Sequence, residues 1–159
     1  MEERLKKPVK QFMTKEVITV KEDDAIKKVF KAMDHEKILG VPVVNEENKP
    51  IGIVTETDLI CHFTTLESPR TINLLGSLVY LDDVNTFNES FKDHCAETVK
   101  DIMTENPLTI IETASLTDAI DLMAENHISR LPVIDEEGKL TGIITRTDIV
   151  HQLAKIKKI

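Results

Sequence analysis

An α/β (α+β) architecture of two pseudo-twofold related β-α-β-β-α repeats, with their sheets packed together and a partly helical insertion between them, is what this sequence predicts. Three observations carry that expectation. First, Gln11 to Ile60 recurs without a gap as Asp101 to Val150, with sixteen of fifty positions identical. Each copy must bury a face that it cannot cover alone, so two copies pack against each other and leave two related clefts between them. Second, within each copy the hydrophobic period changes from that of a strand to that of a helix and back. Third, 41% hydrophobic residues in a chain of 159 is enough for one shared core. The boundaries expected are 8–63 for the first repeat, 64–98 for the insertion and 99–155 for the second repeat.

The elements follow in order. Val17 to Val20 and Leu108 to Ile111 are short β-prone runs followed by acidic or small residues that can start a helix. Ile26, Val29, Phe30 and Met33 then fall at helical spacing, as do Leu116, Ala119, Ile120 and Met123. Val41 to Val44 and Ile51 to Val54 flank the polar turn Asn45 to Pro50, and Leu131 to Ile134 and Leu140 to Ile144 flank Asp135 to Lys139. Each set reads as a β-hairpin. Thr57 to Ile60 and Thr147 to Val150 begin closing helices, with Thr55 and Thr145 near the N-caps. The insertion has no counterpart in the repeat. Its apolar run from Ile72 to Leu81 suits a short helix packed on the module, with a subunit contact as the competing reading.

Composition removes several classes of function. A net charge of −8 repels a phosphate backbone, and one Tyr, five Phe and no Trp leave few surfaces on which bases could stack. No nucleic-acid partner is expected. The basic residues at the ends (Arg4, Lys6, Lys7, Lys10, Lys155, Lys157 and Lys158) read as solubilising termini. No apolar stretch approaches the roughly 20 residues that span a bilayer, and Met1-Glu2-Glu3 does not begin a secretory signal. With only Cys61 and Cys95 as thiols, a cytoplasmic location is expected and no membrane association.

Three short motifs occur twice in register: Met13-Thr14 and Met103-Thr104, Val41-Pro42-Val43-Val44 and Leu131-Pro132-Val133-Ile134, and the closing Gly52 to Asp58 and Gly142 to Asp148. Together they resemble a tandem pair of cystathionine β-synthase (CBS) domains, a Bateman module, over Lys10 to about Leu153 apart from the insertion. The resemblance implies two clefts that often bind adenosine-containing ligands and frequent homodimerisation into a flat disc. It also implies a regulatory role, exerted on an effector protein by conformational change.

The Thr-x-x-Asp motif is where chemistry and resemblance meet. One carboxylate can accept hydrogen bonds from both vicinal hydroxyls of a ribose, which makes Asp58 and Asp148 the expected sugar-holding residues. Thr55 and Thr145, three residues earlier, can offer hydroxyls to ribose or phosphate, beside N–H groups at a helix start. The alternative is that Thr caps the helix and Asp sits in its first turn. The resemblance further places the apolar Ile18, Val41, Leu108 and Leu131 around a purine, with backbone near Thr19, Val20, Thr109 and Ile110 reading its edge and Pro42 and Pro132 stiffening the strands. Each of these apolar residues serves equally well as core.

Arg130 stands where the first copy has Gly40. In the family it resembles, a basic residue here often meets phosphate, and a guanidinium fork suits that geometry. The cleft reached by Arg130 is therefore expected to take AMP, ADP or ATP, and the other a less charged ligand or none. No cofactor is required; an adenine nucleotide or an S-adenosylmethionine-type molecule is the expected ligand. Cys61-His62 and His94-Cys95 flank the insertion in mirror order and are a sufficient set for zinc, but their adjacent spacing is unlike that of the usual metal loops. With five Gly and no P-loop spacing, no catalytic set assembles, and no enzyme is expected. The competing readings are a scaffold with vestigial clefts and an enzyme built on the Cys/His cluster.

Overall fold

The computed structural model describes residues 2–64, 71–74, 77–80 and 97–156. A short helix α1 (Glu2–Leu5) and a 3-10 turn (Val9–Gln11) lead into α2 (Ile26–Glu36), the strands β1 (Gly40–Val44) and β2 (Pro50–Thr55), and α3 (Glu56–Thr64). The second half repeats the plan with a 3-10 turn (Val99–Asp101), β5 (Thr104–Glu105), β6 (Ile110–Ile111), α4 (Leu116–Glu125), β7 (Arg130–Ile134), β8 (Leu140–Thr145) and α5 (Arg146–Ile156). The insertion contributes β3 (Thr71–Leu74) and β4 (Ser77–Tyr80).

Both expected hairpins form. β1 pairs antiparallel with β2 and β7 with β8, each with a register shift at the same place, between Val43 and Val44 and between Val133 and Ile134. The turns are held by Asn45 and Asp135, whose side chains accept the N–H groups two and four residues on. α2 buries Ile26 and Val29, and α4 buries Leu116, Ala119 and Met123, as their 3.6-residue spacing requires. The leading strands are shorter than expected. Only Val20 bridges β1, parallel to Val43, and only Ile110–Ile111 pairs parallel with β7. After Val20 the chain turns at once, because Asp24 accepts the Lys21 N–H and donates its own N–H to the Lys21 carbonyl.

Each repeat completes the other. The Val9 N–H donates to the Ala114 carbonyl (2.8 Å), Lys10 to Glu112 (3.1 Å), and Leu116 back to Lys7 (3.0 Å). Ninety residues on, Val99 donates to Asp24 (2.8 Å), Lys100 to Glu22 (2.9 Å), and Ile26 back to Glu97 (2.8 Å). The side chains follow. Val9, fully buried, sits among Leu116, Leu131, Val133 and Ile144, whereas Val99, fully buried, sits among Ile26, Val29, Val41 and Val54. Sheet edges are exchanged as well: β5 pairs with β2, and Thr14 exchanges two 2.9 Å backbone bonds with Ile143 of β8. Met103 and Met13 thereby lie directly over Gly52 and Gly142, where a methyl group has no room.

Two sequence expectations are corrected. The run from Ile72 to Leu81, expected as a short helix, is a β-hairpin over its described part, with Thr71 facing Tyr80 and Leu74 facing Ser77. Within β3 the apolar Ile72 and Leu74 alternate in sequence with Thr71 and Asn73, the period of a strand. The remainder of the insertion lies outside the described residues. At the N-terminus, Arg4 and Lys10 are not merely solubilising. Arg4 donates to the Gln152 side chain on α5 (2.7 Å) and lies 6.0 Å from the Phe12 ring, and Lys10 lies 3.6 Å from Glu112. Among the described residues, no helix is long and apolar enough to cross a membrane.

Candidate functional site

The two closing helices begin with the same Thr-to-Asp bonds. The Thr55 N–H and hydroxyl both donate to Asp58 Oδ2 at 2.7 Å. The Thr145 N–H and hydroxyl donate to Asp148 Oδ2 at 2.8 and 2.6 Å, and the Asp148 N–H returns to the Thr145 hydroxyl at 3.3 Å. This is a capping arrangement of the residue before the helix with its third residue, reciprocal at Thr145–Asp148 and running from Thr to Asp at Thr55–Asp58. The capping and sugar-holding readings are thus compatible. The cap consumes one carboxylate oxygen of each Asp, and Oδ1 takes no hydrogen bond among the described residues. Both aspartates are half-buried, so that oxygen is held in place without being sealed from solvent.

The residues expected around a base divide into two groups. Val41 and Leu131 are completely buried in the two cores, and Val20 and Ile110 nearly so. Only their backbone is left to face a cleft. The Val20 N–H and carbonyl are themselves engaged with Pro42 (3.1 Å) and Val44 (3.0 Å), so neither is free to meet another group in the strand plane. Pro42 and Pro132 are buried within the hairpins. The exposed apolar side chains are Leu108, 43% exposed, and the half-buried Ile18, which borders a surface depression lined by α2 residues Lys31, Ala32 and His35.

Arg130 is the most constrained of the expected residues. It opens β7, yet its side chain leaves its own repeat and lies across Gly40. A Cβ at Gly40 would stand 2.6 Å from Arg130 Cδ and 2.8 Å from Nη1. The guanidinium then donates from Nη1 to Glu56 Oε2 at 2.9 Å. Glu56 is the first residue of α3, immediately after Thr55, so the Arg130 charge stands at the entrance of the first repeat's helix. Burial pushes the Glu56 carboxyl up, but the Arg130 hydrogen bond, its own backbone N–H and the guanidinium charge outweigh that and hold it below its ordinary 4.5. A depressed carboxylate stabilises the fold above its unfolded pKa, and that contribution is lost as pH falls through the lowered value. Glu56 was not singled out from the sequence. The signal was present all the same, because Glu56 aligns with Arg146 inside a motif whose only other difference is the conservative Val54 against Ile144.

The Cys/His set does not assemble among the described residues. Cys61 is exposed, His62 Nε2 lies 3.4 Å from Glu97 Oε2, and His94 and Cys95 lie outside the described residues. No group of three or more His, Cys, Asp or Glu among the described residues is placed to hold a metal ion.

Comparison with known proteins places these features in context. A family model described as CBS domain matches residues 9–64 and 99–155. Protein MJ1426 of Methanocaldococcus jannaschii is 31% identical over 152 residues, covering 91% of this chain and 90% of its own length. The crystal structure of CBSX2, an Arabidopsis thaliana CBS-pair protein, in complex with AMP superposes with a TM-score of 0.71 at 27% identity, over 96% of this chain and 99% of that one. The CBS domain pair of protein MJ0100, in complex with 5'-methylthioadenosine and S-adenosyl-L-methionine, shares the fold with a TM-score of 0.72 at 23% identity, over 94% and 98% of the two chains.

Proposed function

Because the chain belongs to the CBS-domain family and carries two copies of the domain, we propose that it is a regulatory sensor that binds an adenosine-containing nucleotide between its repeats and signals by changing their relative arrangement. One observation carries the reading above all: the same Thr–Asp pair, bonded the same way, starts α3 and α5 and keeps one carboxylate oxygen of each Asp for a ligand. The AMP complex of the Arabidopsis relative supports the choice of ligand class. Ribose hydroxyls go to Asp58 and Asp148, Thr55 and Thr145 line the approach, and Arg130 receives a phosphate. Ile18 and Leu108 supply apolar contact to the base.

For such a ligand to act as a signal it must bind two arrangements of the repeats with different affinity, since equal affinity shifts no population. The repeats are bridged by exchanged edges and by the Arg130–Glu56 pair, so anything inserted between them bears on both halves. Homodimerisation belongs to the same reading. Ile60 and its counterpart Val150, one on each closing helix, are 62% and 54% exposed, and Leu153 is 40% exposed, which supplies an apolar face for a second copy. The output passes to an effector protein, and neither a bound cofactor nor catalysis is required.

The test is calorimetric titration with AMP and with adenosine. Arg130→Ala is expected to weaken AMP by roughly tenfold or more, the loss of one charge-assisted contact of about 1.5–3 kcal/mol, while leaving adenosine near its wild-type affinity. Equal weakening of both ligands would remove the phosphate role from Arg130. A scaffold with vestigial clefts would instead show no thermal stabilisation by AMP, ATP, NAD or S-adenosylmethionine at any concentration.

A further inference from the structure

The two copies differ in charge at two related places. Position 40 is Gly and its counterpart 130 is Arg, whereas position 56 is Glu and its counterpart 146 is Arg. The structure joins these differences into one device. Gly40 leaves the space through which the Arg130 side chain crosses into the other repeat, and Glu56 receives it. The Arg130 side chain is 11% exposed and that of Glu56 is 40% exposed, so the acidic partner sits on the solvent side of the basic one. Neither Gly40 nor Glu56 could be exchanged for its counterpart without loss. An arginine at 40 would collide with Arg130, and an arginine at 56 would set two guanidinium groups together.

Resting on the nucleotide-sensing reading above, we propose that Glu56 is an internal competitor for the ligand's phosphate. The Glu56 carboxylate accepts from the Arg130 guanidinium at 2.9 Å; a phosphate arriving at Arg130 must displace it or sit beside it. Glu56 thereby sets how strongly the clefts discriminate charged from uncharged nucleosides. A guanidinium presents a planar fork that fits carboxylate and phosphate alike, so one anion can replace the other on the same donors. The exchange also has a conformational consequence. The Arg130–Glu56 bond joins residues of different repeats, and its replacement by a bond to ligand removes one tie between the halves. A phosphate-free nucleoside leaves that tie intact. The device therefore distinguishes a nucleoside that merely fills a cleft from a nucleotide that also unlatches the repeats.

The experiment is titration of wild type and Glu56→Gln with AMP and with adenosine, at low and at physiological salt. Glutamine keeps the shape of the side chain, and melting curves of both proteins verify that the fold survives. Removing the competing charge is expected to tighten AMP by about threefold to tenfold at low salt, less at physiological salt, with adenosine unchanged within about twofold. A Glu56 that only stabilised the fold would lower the melting temperature and leave the ratio of the two affinities where it was. An unchanged ratio with AMP bound, or AMP bound more weakly by the variant, overturns this inference and leaves the sensor reading standing. Failure of wild type to bind either ligand overturns both.

Discussion

Gly142→Ala is expected to cost about 1–3 kcal/mol and to lower the melting temperature by several degrees, a large effect for a single methyl group. Gly142 sits in the middle of β8, opposite Val133, with the Met13-Thr14 segment of the other repeat laid over it. A Cβ there would overlap the Met13 sulfur, lie 2.8 Å from Met13 Cγ and lie 2.9 Å from the Thr14 carbonyl oxygen. The thioether can bend away. The Thr14 backbone cannot, because its N–H and C=O are both bonded to Ile143 at 2.9 Å. Gly52→Ala meets the same obstacle in milder form, with Met103 Sδ at 2.5 Å and the Thr104 carbonyl at 3.3 Å, and should cost less. Denaturant unfolding of both variants gives the comparison. Adding Met13→Ala to Gly142→Ala should return part of the loss, so that the double variant departs from additivity. A Gly142→Ala protein as stable as wild type would mean that the exchanged segment does not press on β8.

The largest functional effect is expected from Asp58→Ala combined with Asp148→Ala: loss of AMP uptake by about a hundredfold or more. Each free Oδ1 is the proposed acceptor for ribose, and charge-assisted bonds of this kind contribute about 1.5–3 kcal/mol apiece. The same carboxylates cap α3 and α5, so the double variant also gives up roughly 0.5–2 kcal/mol of stability per cap. The two effects separate cleanly. Asp58→Asn and Asp148→Asn keep an oxygen that can face the Thr N–H, and should recover much of the stability but little of the binding. Single variants report on each cleft in turn, since a site that stays empty in wild type loses nothing when its Asp is removed. Undiminished AMP binding by the double alanine variant would end the sugar-holding role.

How far the sequence carried these features depends on the range of the interaction behind each. The hairpins and the core faces of α2 and α4 were legible, because two apolar runs around a polar turn and 3.6-residue spacing are local properties of Val41 to Val54 and of Leu116 to Met123. The Thr55–Asp58 and Thr145–Asp148 pairs were legible for the same reason: three residues separate donor from acceptor. Val17 to Thr19 was over-read as strand, since β-prone residues pair only where a neighbour is available, and the neighbour reaches Val20 alone. The hairpin of β3 and β4 was under-read, because Leu74 and Leu78 are also spaced as on one face of a helix. Two features lay beyond local reading. Val9 and Val99 look like the natural start of their own repeats, and nothing in their spacing says that they plug the other. Arg130 could be singled out by comparison with Gly40, but its partner Glu56 emerges only when β7 and the start of α3 are brought together in space.

The exchange of leading segments bears on how the protein comes into being. As the chain leaves the ribosome, Val9 emerges before Leu116, Leu131 and Ile144, the residues among which it is buried, have been made. The first hairpin and α2, in turn, must wait for Val99 before their interior is filled. Neither half can therefore mature during translation while the other is absent, and the smallest stretch of polypeptide able to close its own interior extends from Val9 past Ile149. Long-range pairing of this kind slows folding and leaves apolar surface open in the nascent chain. Two separately produced halves would have to trade their leading segments on meeting, which makes the pair inseparable by design of its topology rather than by the peptide linking them.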